Sequence, residues 1–105
     1  MPKYVLGIDA GTESIRAAVF DEIGNCLGFG TSANQSIHTY PGWAEQSIQQ
    51  WEISLIEAIG KAIAKSGVSP NLIEGVSADA TCPTVVCLDR DGKPLRDALM
   101  WMDVR

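Results

Sequence analysis

The chain has 105 residues, of which 46% are hydrophobic and 20% are charged, with three Trp among them. Such a chain is one domain at most, and its composition is that of a globular protein with a core rather than of a disordered tail. Thirteen acidic residues against eight basic ones give a net charge of −5, which argues against binding to nucleic acid or to a lipid surface.

The cysteine content and the N-terminus favour a cytoplasmic protein. Cys26, Cys82 and Cys87 are odd in number and lack the spacing of a metal-binding or redox pair, so we expect reduced thiols. The apolar run at the N-terminus is short and is interrupted by Asp9, so the sequence shows neither a signal peptide nor a membrane span.

Three strands are predicted at the start of the chain, over residues 4–8, 15–20 and 26–31. The first is a continuous apolar run, which is typical of a strand covered on both faces. Residues 21–25 supply the Asp and Gly of a tight reversal between the second and third strands. The three strands are therefore expected to form a meander.

A long helix is predicted after a loop over residues 32–44. Ser47 and Gln50 fit a capping box at its start, and Gly67 is a suitable C-cap. Apolar residues recur along one face at steps of three and four: Ile48, Trp51, Leu55, Ile59 and Ala62. We expect this stripe, Trp51 included, to pack on the sheet as core and not to bind a ligand.

Two further strands are predicted over residues 73–78 and 84–88, followed by a hairpin over residues 88–95. The hairpin repeats the pattern of residues 20–27: apolar, Asp, two residues, Gly, two residues, Leu. We interpret this as one turn chemistry used twice and not as a repeat architecture. The sequence stops soon afterwards without a closing element, so we expect it to be part of a longer chain.

The segment after the first strand has the composition of a phosphate-binding turn. Gly11 lets the backbone approach a ligand closely, and the hydroxyls of Thr12 and Ser14 can join successive N–H groups as donors. Asp9 can hold Mg²⁺ through water, and Arg16 adds a positive charge. A tight hairpin in which Gly11 adopts an unusual dihedral, and in which Asp9 and Thr12 only cap backbone groups, is equally consistent with this turn alone.

Three segments in register resemble signatures of the FGGY carbohydrate kinase family. They are the Asp-x-Gly-Thr turn of residues 9–12, the Pro-Gly-Trp-Ala-Glu-Gln segment of residues 41–46 and the Trp-Met-Asp-Val-Arg segment of residues 101–105. The resemblance covers essentially the whole chain. It implies an α/β fold of the ribonuclease H or actin-like ATPase type, a mixed sheet with a helix, in which residues 1–105 are an incomplete first lobe and the second domain is absent.

The resemblance also implies a function. The parent would transfer the γ-phosphoryl group of ATP, with Mg²⁺, to a hydroxyl of a small sugar or polyol. Asp9 would serve Mg²⁺, and the turn up to Arg16 would hold the phosphates. Glu13 departs from family members that carry Thr or Ser there, which removes a hydroxyl. The family's general base is an Asp downstream, and the adenine-binding lobe is also outside this chain, so we expect residues 1–105 alone to be inactive.

The substrate is suggested by residues 79–82. Their Asp-Ala-Thr-Cys sequence matches neither the xylulokinase-like nor the glycerol kinase pattern and looks like the ribulokinase-like branch. Sugar hydroxyls would bond to side chains of this segment, among them Asp79, Thr81 and Cys82, and to Asp103, while Trp101 would cover the carbon chain.

Structural roles are the alternative for these residues. Asp79 and Thr81 could instead close a turn and Trp101 could be core, and for Cys82 and Arg105 a structural role is at least as fitting. For Glu45 we favour a structural role at the helix entrance.

Two other functions stay open at this stage. A chaperone-like or cytoskeletal ATPase shares the Asp-x-Gly-Thr turn, but has no reason to keep residues 41–46 or 101–105. A folded module without catalysis is the second alternative. The expected partners are a small sugar or polyol, the remainder of the kinase chain and, where apolar faces stay uncovered, a second copy.

Overall fold

The computed structural model describes residues 2–105 and shows a mixed sheet with one long helix. In chain order, the elements are β1 (Tyr4–Ala10), β2 (Ser14–Asp21), β3 (Cys26–Ala33), β4 (Glu45–Gln46), α1 (Ile48–Ser66), a 3-10 turn (Pro70–Leu72), β5 (Ile73–Ala80) and β6 (Ala98–Leu99). The long strands form one sheet in the order β3-β2-β1-β5, in which β1 pairs antiparallel with β2 and parallel with β5. The predicted meander, helix and fourth strand are confirmed.

Helix α1 begins and ends where its capping residues predict. The Ser47 hydroxyl accepts from the Gln50 N–H at 3.1 Å, and Gly67 follows the helix with a φ of 68°, in the left-handed region. The Gln50 side chain donates to Ser54 and does not reach back, so only half of the predicted capping box forms. No helix within residues 2–105 is long and apolar enough to cross a bilayer.

The core lies between α1 and one face of the sheet, and the helix approaches β3 closely. Ala58 and Ala62 of the helix are completely buried. An added Cβ would lie 2.2 Å from the Ala58 carbonyl oxygen at Gly30, and 2.3 Å from the Ala62 carbonyl oxygen at Gly28. Both distances exclude any side chain, so the two glycines allow the helix backbone to rest on the sheet. The predicted stripe packs here, with Trp51, Leu55 and Ile59 partly buried against the core.

The opposite face of the sheet is open within residues 2–105. Val5 in β1 is 47% exposed and Phe29 in β3 is 46% exposed. The expectation that β1 is covered on both faces is therefore wrong for the described residues. The reason is that α1, the only long helix among them, packs on a single face.

The two turns with the same sequence pattern have the same structure. In each, the carboxylate of the leading Asp, Asp21 or Asp89, accepts from two backbone N–H groups of the turn. Gly24 and Gly92 occupy the same place with φ values of 89° and 80°. The second turn does not follow a regular strand, however. Residues 84–88 form only isolated bridges, one of them to Pro94, which has no N–H to extend a ladder, so the predicted fifth strand is wrong.

Two distant segments, residues 41–46 and 98–105, are bound together into a substructure that we call the clasp. Its backbone consists of the short β4–β6 pairing and of a hydrogen bond from the Val104 N–H to the Gly42 carbonyl at 2.8 Å. One Asp103 oxygen accepts from the Ala44 N–H at 2.8 Å. The clasp therefore joins two parts of the chain that lie more than fifty residues apart.

Arg105 is the central side chain of the clasp. Its guanidinium bonds to Glu45 at 2.8 Å and to Asp103 at 2.7 Å, and it stacks 3.6 Å from the centre of the Trp43 ring. The hydrogen bonds from Arg105 hold the pKa of both Asp103 and Glu45 below the usual range. Glu45, placed before the helix, is thus paired with Arg105 within the clasp.

Replacing Gly30 by Ala should lower the free energy of unfolding by about 1–3 kcal/mol, because the added methyl group overlaps the α1 backbone. Gly60→Ala is the matched control. Gly60 lies within α1 with no atom within 4 Å of an added Cβ, so Ala should stabilise the helix by up to about 1 kcal/mol. Urea unfolding measures both, and effects of equal sign would contradict the close contact of α1 with β3.

Arg105→Lys should lower the melting temperature, because an ammonium group cannot reproduce the planar hydrogen bonds and the stacking on Trp43. Arg96→Lys serves as the comparison. Arg96 is partly exposed and makes a single contact of 3.5 Å with Glu45, so this substitution should leave the melting temperature nearly unchanged. Calorimetric melting of both variants distinguishes them. Equal melting temperatures for the two would show that the clasp does not depend on guanidinium geometry.

Candidate functional site

The ends of β1 and β5 form the centre of the candidate site. The two strands run in parallel, with Asp9 opposite Asp79 and Ala10 opposite Ala80. Just beyond them, the Thr81 N–H donates to the Ala10 carbonyl at 3.1 Å. Residues that are seventy positions apart in the sequence therefore meet at one edge of the sheet.

Three charged side chains lie together on the open face at this edge. Arg16 stands opposite Asp9 in the β1–β2 pairing, and its guanidinium bonds to the Asp9 carboxylate at 2.5 Å. The neighbouring Asp79 carboxyl has a raised pKa, first because it shares a hydrogen bond with Asp9 and also because of the Asp9 charge. All three line a pocket of about 370 Å³. Two carboxylates so close together favour a cation between them.

The turn between β1 and β2, residues 11–13, is anchored through its carbonyl groups. The Thr12 carbonyl accepts from the Gln46 side chain at 2.5 Å, and the Glu13 carbonyl accepts from the Asn34 N–H at 2.9 Å. The N–H groups of Thr12 and Glu13 donate to no group within residues 2–105. Two backbone donors of this turn are therefore available to an anion.

The space around Gly11 is tight for a side chain, although its backbone conformation is not left-handed. Its φ is outside the left-handed region, so the alternative in which Gly11 takes an unusual dihedral is wrong. An added Cβ would lie 3.1 Å from the Ser14 carbonyl oxygen and 3.3 Å from the Arg16 guanidinium. Glu13 is held to one side, since its carboxylate accepts from the Ser36 hydroxyl at 2.9 Å.

Trp101 lies beside this turn. Its indole N–H points to the Thr12 hydroxyl at 3.4 Å, and the residue is 52% exposed, so Trp101 is not part of the core that residues 2–105 form. Thr81 lines a second cavity of about 540 Å³, between α1 and the ends of β1 and β5, and its hydroxyl lies 3.5 Å from that of Thr84. Cys82 is exposed.

Asp103 is placed differently from the other predicted residues. Its side chain is 7% exposed, and its two oxygens accept from Arg105 and from the Ala44 N–H within the clasp.

Two buried residues of the site were missed in the sequence. Gln46 supports the β1–β2 turn, and Asn34 lines the larger cavity with a buried oxygen that has no partner in the described part of the chain. The signal for Gln46 was a polar residue directly before a helix cap.

The described side chains would not complete the coordination of a metal ion in this site, so water or phosphate oxygens would have to supply the other ligands. No three His, Cys, Asp or Glu side chains within residues 2–105 lie close enough to hold an ion. Mg²⁺ is commonly bound by one or two carboxylates together with water and phosphate oxygens. Asp9 and Asp79 fit that requirement.

Comparisons with known proteins agree on one family. The sequence profile described as the FGGY family of carbohydrate kinases, N-terminal domain, matches residues 4–105. A glycerol kinase of Thermococcus gammatolerans is 35% identical over 101 residues, which are 96% of this chain and 20% of that protein. Glycerol kinase 2 of Thermotoga maritima is 39% identical over 101 residues, with 94% and 20% covered.

Solved structures show the same fold. A xyloylose kinase from Brucella ovis superimposes with a TM-score of 0.92 at 28% identity, over 97% of this chain and 22% of that one. Plasmodium falciparum glycerol kinase with ADP superimposes with a TM-score of 0.87 at 26% identity, over 99% and 21%. The chain thus spans about a fifth of the length of these relatives and has the actin-like ATPase fold of sugar kinases. It belongs to the FGGY family of carbohydrate kinases, and its residues correspond to the N-terminal domain of that family.

Proposed function

We propose that the full-length protein is an ATP-dependent kinase that phosphorylates a small sugar or polyol. One observation carries the proposal: the β1–β2 turn, with its two available N–H groups, lies in contact with Trp101. Phosphoryl transfer needs the phosphate donor and the acceptor hydroxyl in line and close together. A phosphate site at the turn and a sugar site at Trp101 meet that need.

The proposed phosphate site consists of the turn and its flanks. The N–H groups of Thr12 and Glu13, the hydroxyls of Thr12 and Ser14, and the closely approachable Gly11 would bind the phosphate oxygens. Arg16, once it no longer pairs with Asp9, would neutralise the negative charge of the phosphates. Asp9, with Asp79 beside it, would hold Mg²⁺, whose chemistry is to neutralise charge that develops on the phosphates.

The proposed sugar site extends from Asp79 and Thr81 to Trp101, with Cys82 at its margin. Asp103 fits less directly, because the clasp already engages both of its oxygens. A ribulose-like sugar remains our first candidate, from the Asp-Ala-Thr-Cys sequence of residues 79–82. Glycerol is the second, favoured by relatives of 34% to 39% identity that are named glycerol kinases.

The proposal assigns the remaining functions elsewhere in the protein. The general base and the adenine site would come from the remainder of the chain, so residues 1–105 would form an incomplete first lobe that is inactive alone. The open sheet face would pack against that remainder or against a second copy. A cytoplasmic location, without nucleic-acid or membrane partners, fits the acidic composition.

Asp9→Asn in the full-length protein should lower kcat by about 100-fold or more, the size of losing one electrostatic contact in the transition state. Sugar affinity should stay nearly unchanged, because Asp9 is placed beside the phosphate turn. Asp21→Asn, which alters a carboxylate in a distant turn, is the control and should leave kcat intact. Coupled assays of ADP release measure kcat, and an equal loss of sugar affinity would remove Asp9 from the proposed metal role.

Thr81→Val keeps the shape of the side chain and removes its hydroxyl. If Thr81 contacts the sugar, kcat/KM should fall by about 5- to 150-fold, or roughly 1 to 3 kcal/mol, for sugars that carry the matching hydroxyl. A panel of pentuloses, pentitols and glycerol measures this and identifies the preferred substrate. A uniform loss over the panel would make Thr81 a scaffold residue, and a wild-type preference for glycerol or xylulose would overturn the ribulose assignment.

A further inference from the structure

Gln46 is a buried polar residue whose side chain connects three parts of the structure. It is 2% exposed, and it lies at the end of β4, directly before the cap of α1. Its amide nitrogen donates to the Thr12 carbonyl at 2.5 Å and to the Asn34 carbonyl at 2.8 Å. Its amide oxygen accepts from the Trp51 indole N–H at 2.8 Å. Both donors of the amide are thus in use, and the Trp51 bond fixes which way the amide faces.

The bond to Thr12 controls the direction of a neighbouring donor. The Thr12 carbonyl and the Glu13 N–H belong to one peptide group, which is planar and trans, so the two point in opposite directions. Anchoring the carbonyl oxygen to Gln46 therefore also sets the direction of the Glu13 N–H. That N–H is one of the two turn donors that bond to no group within residues 2–105.

We propose that Gln46 is a positioning residue for phosphate binding: it holds the Thr12–Glu13 peptide so that its N–H is presented to a phosphate oxygen of ATP. The inference rests on the proposed function of the β1–β2 turn. It assigns Gln46 a role that acts through the backbone, without contact between its side chain and the nucleotide. A preorganised donor binds a phosphate without a cost of reordering the turn on binding.

A nearby residue offers a matched control. Ser54 is completely buried, and its hydroxyl donates to the Ala33 carbonyl at 2.8 Å, next to the Asn34 carbonyl that Gln46 holds. Loss of either side chain removes a buried bond between the helix side and the end of β3. Only the loss of Gln46 also removes a hydrogen bond to the β1–β2 turn. The two variants therefore separate general loosening from a specific effect on the turn.

The test uses the full-length kinase with Gln46→Met and Ser54→Ala, and compares melting temperatures with binding measured by titration calorimetry. The probes are the Mg²⁺ complex of a non-hydrolysable ATP analogue and the preferred sugar of the panel. We expect both variants to melt at lower temperature. Gln46→Met should weaken binding of the analogue by about tenfold, with sugar affinity unchanged, and Ser54→Ala should change neither affinity.

A second variant provides the same test if Gln46→Met does not fold. Trp51→Phe keeps an aromatic ring against the core and removes, with part of the indole, the N–H that orients the Gln46 amide, so binding of the analogue should weaken by about threefold while sugar affinity stays unchanged. Unchanged binding of the analogue in the folded variants, or an equal loss in Ser54→Ala, overturns the role of Gln46 while the proposed kinase stands. A wild-type protein that neither binds the analogue nor phosphorylates any member of the panel overturns both.

Discussion

The parallel pairing of β1 with β5 is the interaction on which the candidate site depends. Local sequence is sufficient for the β1–β3 meander, but the pairing with β5 alone sets Asp9 against Asp79 at one edge of the sheet. The bond from the Thr81 N–H to the Ala10 carbonyl extends this pairing beyond the last strand residues. A slip of one residue would turn Asp79 toward the helix face and away from Asp9. The register of β5 on β1 therefore determines which side chains meet in the site.

Gln46 connects helix α1 to the candidate site. The two β3 glycines let the helix lie close to the sheet at Ala58 and Ala62, and the Ser47 cap sets where its first turn begins. Gln46 stands immediately before that turn and is bonded to Trp51 within it, so its amide takes its place from the helix. Core packing on β3 and the orientation of the β1–β2 turn are connected by this side chain, because its amide donates to the Thr12 carbonyl of the turn.

Much of the fold could be predicted from the sequence, where the causes are local. Ser47 and Gly67 cap the helix through their own backbone and side-chain chemistry, and the two Asp and Gly turns repeat because five residues suffice to form each. The predictions were wrong for elements whose structure depends on residues far away in the sequence. Residues 84–88 have strand propensity but lack a ladder to join, and β1 looks covered on both faces although α1 packs on only one face of the sheet. Asp103 shows the same limit for the site, since its sequence position does not reveal that Arg105 and Ala44 occupy its oxygens.

The three signature segments converge on one residue, which gives a physical reason for their occurring together. Thr12 belongs to the first segment, its carbonyl is held by Gln46 from the second, and its hydroxyl lies beside Trp101 from the third. The second and third segments are in turn joined through the clasp. Within that clasp Glu45, Asp103 and Trp43 contact Arg105, whereas Trp101 stays half exposed. A large apolar ring that is exposed within residues 2–105 adds little to the stability of the clasp, and in the proposed kinase its place beside Thr12 would let it contact the sugar.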